Sequence, residues 1–296
     1  MTLPKANNGH IVGAVEAGGT KVRAALVAED LAIIDQMRVS TTTPDETLGA
    51  VRSFFANSSP VAALGIASFG PLVVDRDVDA YGSIAATPKP GWAGTRVLAE
   101  LSADLDVPTE IQTDVEAAAV AEHRVGAGRG HSSIAYITVG TGVGAGVLVD
   151  GAPFRGRDHI ELGHIPVRRV DRDDFDGVCP FHGDCLEGLA SGPAIQARWG
   201  ATPSELQGRD DVWNLEADYL GQLVRVLAYS FAPDKILFSG GVGARKHLAP
   251  RIATAATRHL GGYSVSHRNN DELVATAALG NDAGLIGAAL LAQSLL

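Results

Sequence analysis

The chain has 296 residues, 46% of them hydrophobic, and a formal net charge of −10. This length allows two domains with large cores, and the acidic balance argues against a nucleic-acid backbone as partner while leaving room for a phosphate held locally by backbone N–H groups. No apolar run is long enough to span a bilayer, and the opening M-T-L-P-K-A-N-N-G-H lacks the apolar centre of a signal peptide, so a reducing, cytoplasmic setting is expected.

In chain order, Ile11 to Val27 reads as strand, glycine turn, strand: G-A-V-E-A, then Gly18-Gly19-Thr20-Lys21, then V-R-A-A-L-V. A nucleotide-triphosphatase loop would end G-K-[ST] and continue as a helix. Strand-like residues follow here instead, so a hairpin is the reading. V-A-A-L-G-I-A-S-F-G-P predicts a buried strand ending at Gly70-Pro71. The next loop, Y-G-S-I-A-A-T-P-K-P-G-W, is denied a helix by its prolines. W-A-G-T-R-V-L-A-E-L reads as helix, I-Q-T-D as a short strand ending at Asp114, and the alanine-rich V-E-A-A-A-V-A-E-H as a helix.

The hairpin then returns. Ala135 to Val149 aligns without gaps on Gly13 to Val27, setting Gly140 on Gly18, Leu148 on Leu26 and Val149 on Val27. Two equivalent hairpins suggest two α/β lobes with a cleft between them, each turn offering N–H groups to one end of a polyphosphate. Further on, L-E-A-D-Y-L-G-Q-L-V-R-V-L-A-Y-S-F has helical spacing. Lys235 to Ser239 reads as a strand stopping at Gly240-Gly241-Val242-Gly243, and the chain closes on an apolar helix. The expected organisation is a small N-terminal α/β lobe over 1–114 and a larger one over 115–281, with the helix at 282–296 packing back on one lobe.

Only two cysteines occur, both in C-P-F-H-G-D-C: Cys179 and Cys185, with His182 midway between them and His164 upstream in E-L-G-H. Two sulfurs and two imidazoles match a closed tetrahedral zinc site. A disulfide would close a very small loop, and nothing points to export. The metal is read as structural, pinning the loop at 164–185. Asp114 stands where a strand hands over to a helix, a place from which a carboxylate can accept a substrate hydroxyl's proton during attack on phosphorus. Helix capping competes with that reading: Asp caps helices well, and Thr113 with Glu116 fits a capping box. Glu161 and Glu187 are either sugar-hydroxyl acceptors or solvated surface acids. His164 can use its second ring nitrogen on a ligand. Gly240-Gly241 is either a close approach to a nucleotide or a plain turn. Lys21 either steers phosphates or is solvated. Glu16 either positions a hydrated Mg²⁺ or faces solvent from a strand. His123, His131 and His159 are read as surface or satisfied histidines.

Taken in order, E-A-G-G-T-K, G-I-A-S-F-G-P, T-P-K-P-G-W, T-D-V, V-G-T-G-V-G-A-G, E-L-G-H-I-P, C-P-F-H-G-D-C-L-E-G and F-S-G-G-V-G resemble the ROK family of sugar kinases, in its zinc-containing bacterial fructokinase branch. The resemblance covers nearly the whole chain. It implies an actin/hexokinase-like (ribonuclease H-like) fold of two lobes closing on ATP and sugar, and phosphorylation of D-fructose at the 6-hydroxyl with Mg²⁺. It implies Asp114 as general base. It implies a sugar pocket lined by Glu161, His164 and Glu187, with Thr113 and the Lys89, Gly91 and Trp92 loop beside it. Gly18, Gly19, Thr20, Lys21, Gly140, Thr141 and Gly142 would hold phosphates, and Pro233, Gly240 and Gly241 would border adenosine. His164, Cys179, His182 and Cys185 would bind zinc, and a homodimer is expected.

Two positions depart from that pattern: Glu16, where many relatives carry Asp, and Glu116, where they usually carry Asn. The alternatives are the same chemistry on mannose or glucose, a sugar-responsive repressor, and a zinc hydrolase. The repressor reading is opposed by a first strand starting at about Ile11, with no room for a DNA-binding domain. The hydrolase is opposed by four protein ligands that leave no open metal position.

Overall fold

A computed structural model describes residues 9–170, 173–263 and 270–296. One five-stranded sheet holds β1 (Val12–Ala17), β2 (Lys21–Val27), β3 (Ile33–Ser40), β4 (Leu64–Ser68) and β5 (Thr109–Thr113), in the order β3-β2-β1-β4-β5. The other holds β6 (Ile134–Val139), β7 (Val143–Val149), β8 (Ala152–Pro153), β9 (Lys235–Ser239) and β10 (Val274–Thr276), in the order β10-β9-β6-β7-β8. In each sheet the first three strands form an antiparallel meander and the last two run parallel to the first. The two orders are therefore one topology used twice, with β1 and β6 as counterparts. The turn at Gly18–Thr20 falls on the turn at Gly140–Gly142, as the gapless alignment requires. This duplicated sheet is the ribonuclease H-like core of the actin/hexokinase-like fold.

The helices are α1 (Pro44–Ala56), α2 (Val97–Ser102), α3 (Asp114–Val125), α4 (Leu186–Ala190), α5 (Gly192–Trp199), α6 (Asp210–Ser230), α7 (Gly240–Gly243), α8 (Leu248–Leu260), α9 (Asn270–Leu273) and α10 (Ala283–Gln293). The chain divides into two compact units. One comprises the residues up to Ala118 with Gly156–His159 and Asp282–Leu296; the other comprises Ala119–Arg155 and Ile160–Asn281.

In the first unit, β1 and β2 alternate their side chains between two cores, which is why both read as apolar runs rather than half-polar strands. Val15, Ala17, Val22 and Ala24 pack with Leu48, Val51 and Phe55 of α1 and with Val97 and Leu101 of α2. Val12, Ala14, Ala25 and Val27 pack with Leu285, Ala288, Ala289 and Ala292 of α10. That helix lies close against the sheet because Gly65 has no side chain: a Cβ there would sit 1.9 Å from the carbonyl oxygen of Ala288. The helix expected from Trp92 onwards begins only at Val97, because Gly91 and Gly94 take positive φ (79° and 80°) and turn the chain. In the second unit, α6 and α8 cover the β6–β9 sheet and cross at Gly221, where a Cβ would meet Ala255 at 2.8 Å.

Candidate active site

Parallel strands gather functional loops at their carboxyl ends. In the first unit Ala17, Ser68 and Thr113 are in register across β1, β4 and β5. The Gly18 turn, the Gly70-Pro71 loop and Asp114 therefore leave one edge together. The turn itself is arranged by its carbonyls. Gly18 O accepts the Thr41 hydroxyl at 2.7 Å, Thr20 O accepts the Thr41 N–H at 3.0 Å, and Gly19 O accepts the Lys89 ammonium at 2.6 Å. With its carbonyls tied back, the turn presents the exposed N–H groups of Gly19 and Thr20, which have no acceptor among the described residues. Such a concavity of backbone donors suits an anion. Thr41, which holds the turn, gave no sign in the sequence.

Asp114 opens α3 but does not cap it. Thr113 Oγ1 accepts the Glu116 N–H at 3.2 Å and Glu116 Oε2 accepts the Thr113 N–H at 3.4 Å, a complete capping box. Asp114 is half-buried, its Oδ1 accepting the Val115 N–H at 2.9 Å. The capping role belongs to Thr113, which is 3% exposed, and Glu116, 4% exposed.

The second unit builds its turn differently. Gly140 O accepts the Gly192 N–H at 2.7 Å, so the start of α5 presses on the turn. Gly241 N lies 3.9 Å from where a Gly140 Cβ would be, which puts the Gly240-Gly241 turn beside it. Val143, just after the turn, collects two expected pocket segments. Its N–H donates to Glu187 Oε2 at 3.0 Å, and its carbonyl packs on Gly163, where a Cβ would come within 1.9 Å. Glu161 and His164 flank that glycine. Glu187 is thus a half-buried acceptor rather than a solvated acid. Gly192 had no role in the sequence reading.

The Cys/His group is assembled by short β-bridges, Pro166 with Cys185 and Cys179 with Gly183, the latter at φ +63°. Both cysteines are buried and unpaired, so the disulfide alternative fails. One ligand atom from each of His164, Cys179, His182 and Cys185 lies within 4.8 Å of all the others. His164 Nδ1 is 3.7 Å from Cys179 Sγ and 3.6 Å from Cys185 Sγ, and His182 Nδ1 is 3.7 Å from Cys179 Sγ. Zn–S near 2.3 Å and Zn–N near 2.0–2.1 Å give a tetrahedral S···N edge of about 3.6 Å. The donors therefore fit a tetrahedral soft-metal site. Burial pushes the Cys185 thiol up to about 11.

Three expectations are corrected. Trp92 does not line a pocket: it is fully buried, packs edge-on against Phe69 with ring centroids 5.1 Å apart, and donates Nε1–H to Thr42 O at 2.8 Å. Pro233 precedes β9 whereas Gly240 and Gly241 follow it, and five strand residues span about 16 Å. Pro233 is buried at the other edge of the sheet and does not share an adenosine with those glycines. Glu16 does not face solvent: it lies against Gly284 with Arg23 at 3.6 Å, and burial raises its carboxyl above the ordinary value against the pull of Arg23 and Lys21. Two of the other histidines have a ring partner: His123 Nε2 meets His131 O at 2.8 Å, and His159 Nε2 accepts the Leu72 N–H at 3.1 Å. Among the described residues no helix is long and apolar enough to cross a membrane.

The duplicated sheet with a glycine hairpin in each copy defines a protein of the actin/hexokinase-like class. Residues 12–295 match the ROK family. The chain is 42% identical to a fructokinase of Pediococcus pentosaceus, covering 97% of this chain and 99% of that one, and 40% identical to a fructokinase of Zymomonas mobilis subsp. mobilis, covering 97% of each. Its fold superposes with a TM-score of 0.76 on a ROK family glucokinase from Streptomyces griseus, solved in complex with glucose and AMPPNP; that protein is 28% identical, over 96% of this chain and 99% of the other. The chain belongs to the ROK family.

Proposed function

We propose that the protein is an ATP-dependent fructokinase, transferring a phosphoryl group to the 6-hydroxyl of D-fructose to give fructose 6-phosphate. One observation carries the choice of sugar: end-to-end identity is 42% to a fructokinase and 28% to the glucokinase of known structure. Asp114 takes the proton of the attacking hydroxyl. The exposed N–H groups of Gly19 and Thr20, and likewise the turns at Gly140–Gly142 and Gly240-Gly241, are the candidates for binding phosphate. Glu161 and Glu187 accept from sugar hydroxyls. His164 turns Nδ1 to the sulfurs, which leaves Nε2 for a hydroxyl.

Magnesium, bound with the nucleotide, would supply charge neutralisation at the phosphates. The metal held by His164, Cys179, His182 and Cys185 is assigned as structural zinc on its soft, closed donor set. A cytoplasmic homodimer belongs to the same reading, checked by light scattering. The deciding experiment measures ADP production with fructose, glucose and mannose as acceptors. Fructose should have the highest kcat/KM. Preference for glucose or mannose would replace the sugar, and ADP release independent of any sugar would end the kinase reading.

A further inference from the structure

Lys89 lies in the T-P-K-P-G-W string, which the family resemblance sets beside the sugar, yet its ammonium is seated on the carbonyl of Gly19 at 2.6 Å. Several contacts fix it there. Trp92, fully buried, donates its backbone N–H to Lys89 O at 3.3 Å, and its indole is held by Thr42 O at 2.8 Å. Thr42 N in turn donates to Thr47 Oγ1 at 3.0 Å, and the preceding Thr41 grips the glycine turn at Gly18 O and Thr20 O. The loop bearing Lys89 and the turn bearing Gly19 are thus fastened to adjacent threonines, the loop to Thr42 and the turn to Thr41. An ammonium bound to one face of a peptide unit polarises it, and its own charge adds to the outward N–H groups of Gly19 and Thr20.

We propose that Lys89 is a phosphate-binding residue, a positive charge brought to the first glycine turn from a remote loop, and not a sugar-binding one. The inference rests on the reading of that turn as a nucleotide-phosphate site. A lysine serves here as a point charge on a flexible stem, which can lean from the Gly19 carbonyl toward a phosphate oxygen without rebuilding the loop. Of the other cations nearby, Arg23 is 10% exposed at its side chain and engaged with Glu16 and Asp282, and Lys21, half-buried at the head of β2, bears on Glu16.

The test is calorimetric titration of the full-length protein and its Lys89→Gln and Lys89→Arg variants with ADP, adenosine and fructose separately. Lys89→Gln keeps a donor for Gly19 O but removes the charge. It should weaken ADP roughly tenfold, the loss of one charge-assisted contact, while leaving adenosine and fructose within about twofold, and Lys89→Arg should restore most of the ADP affinity. Lost fructose affinity with ADP unchanged would return Lys89 to the sugar pocket and overturn the proposal. So would an equal loss for ADP and adenosine, which marks a structural tie only, or no change in either. If the wild-type protein itself takes up no ADP, the kinase reading fails first. If it takes up ADP but not fructose, only the sugar is wrong and the Lys89 comparison still decides.

Discussion

Thr113 and Glu116 bond to each other's backbone N–H groups across the first turn of α3, and Asp114, between them, accepts the Val115 N–H at 2.9 Å. Cap and base are therefore separable by substitution. Asp114→Ala should still fold cooperatively while kcat falls by roughly 10²–10⁴. Thr113→Ala should do the converse, losing about 1 kcal/mol of stability with a smaller change in kcat. Urea unfolding beside steady-state kinetics reads both. An Asp114→Ala enzyme with near-normal turnover would remove the base assignment.

The approach of α10 to β4 makes a second prediction. A Cβ on Gly65 would lie 1.9 Å from Ala288 O and 2.9 Å from Ala292 N, both backbone atoms that cannot swing aside. Gly65→Ala should cost about 3 kcal/mol or more in urea unfolding, at the upper end of overpacking losses. Gly49, in the middle of α1 with nothing within 4 Å of its Cβ position, is the control. Gly49→Ala should stabilise by about 0.5–1 kcal/mol through helix propensity alone. A tolerated Gly65→Ala would mean that α10 does not pack this closely.

Much of this was legible in the sequence, for a physical reason. The hairpin repeat, the Cys179–Cys185 string and the strand-to-helix handover at Asp114 are local patterns, set by spacing within a few residues. What escaped depends on distant partners. Trp92 in a proline-glycine loop reads as a pocket wall until Phe69 and Thr42, far off in sequence, enclose it. Pro233 and Gly240 look close in sequence, but a strand between them carries them to opposite edges of a sheet. β3 is half polar and exposed along much of its length, and its existence follows from pairing with β2. By contrast α6 was readable: Leu220, Val224 and Leu227 recur at helical spacing and are all buried. Gly192 and Thr41 gave no sign, since each acts through a backbone or hydroxyl contact to a turn remote in sequence.

Glu216 should make stability depend on pH. It lies on α6, 1% exposed, with Oε1 unpartnered among the described residues. Burial raises its carboxyl well above the ordinary value, and the opposing pull of Arg198 is weaker. Arg198 itself pairs with Asp173 at 3.1 Å. Below the unfolded-state value, about 4.3, both states hold the proton and nothing is lost. As pH rises from there to the folded-state value, the unfolded chain releases the proton and the native state does not. Stability then falls by at most about 1.4 kcal/mol per pH unit. Glu216→Gln should melt higher than wild type, by a margin that widens from pH 5 to pH 8. A margin that stays constant or shrinks would show that Glu216 is ionised and satisfied in the fold.

Metal removal should act through Glu187. Cys185 is the N-cap of α4, and Glu187 is in that helix's first turn. Gly188 packs so tightly on the loop that a Cβ would lie 1.9 Å from Gly183 O and 3.1 Å from Cys179 Cβ. The ligand cluster therefore fixes the start of α4, and with it the bond from Val143 N to Glu187 that closes the Gly140–Gly142 turn. Four ligands with no open position predict a metal that binds tightly and supplies folding energy rather than a reactive water. The purified protein should carry one zinc per chain by plasma emission spectroscopy. Chelation, or Cys185→Ser, should lower the melting temperature and raise the KM for both ATP and fructose, because the loop serves both. Re-addition of zinc should rescue the chelated protein and not the variant. A metal-free protein that melts and turns over as before would show that hydrogen bonds alone hold the loop, and the zinc assignment would fall.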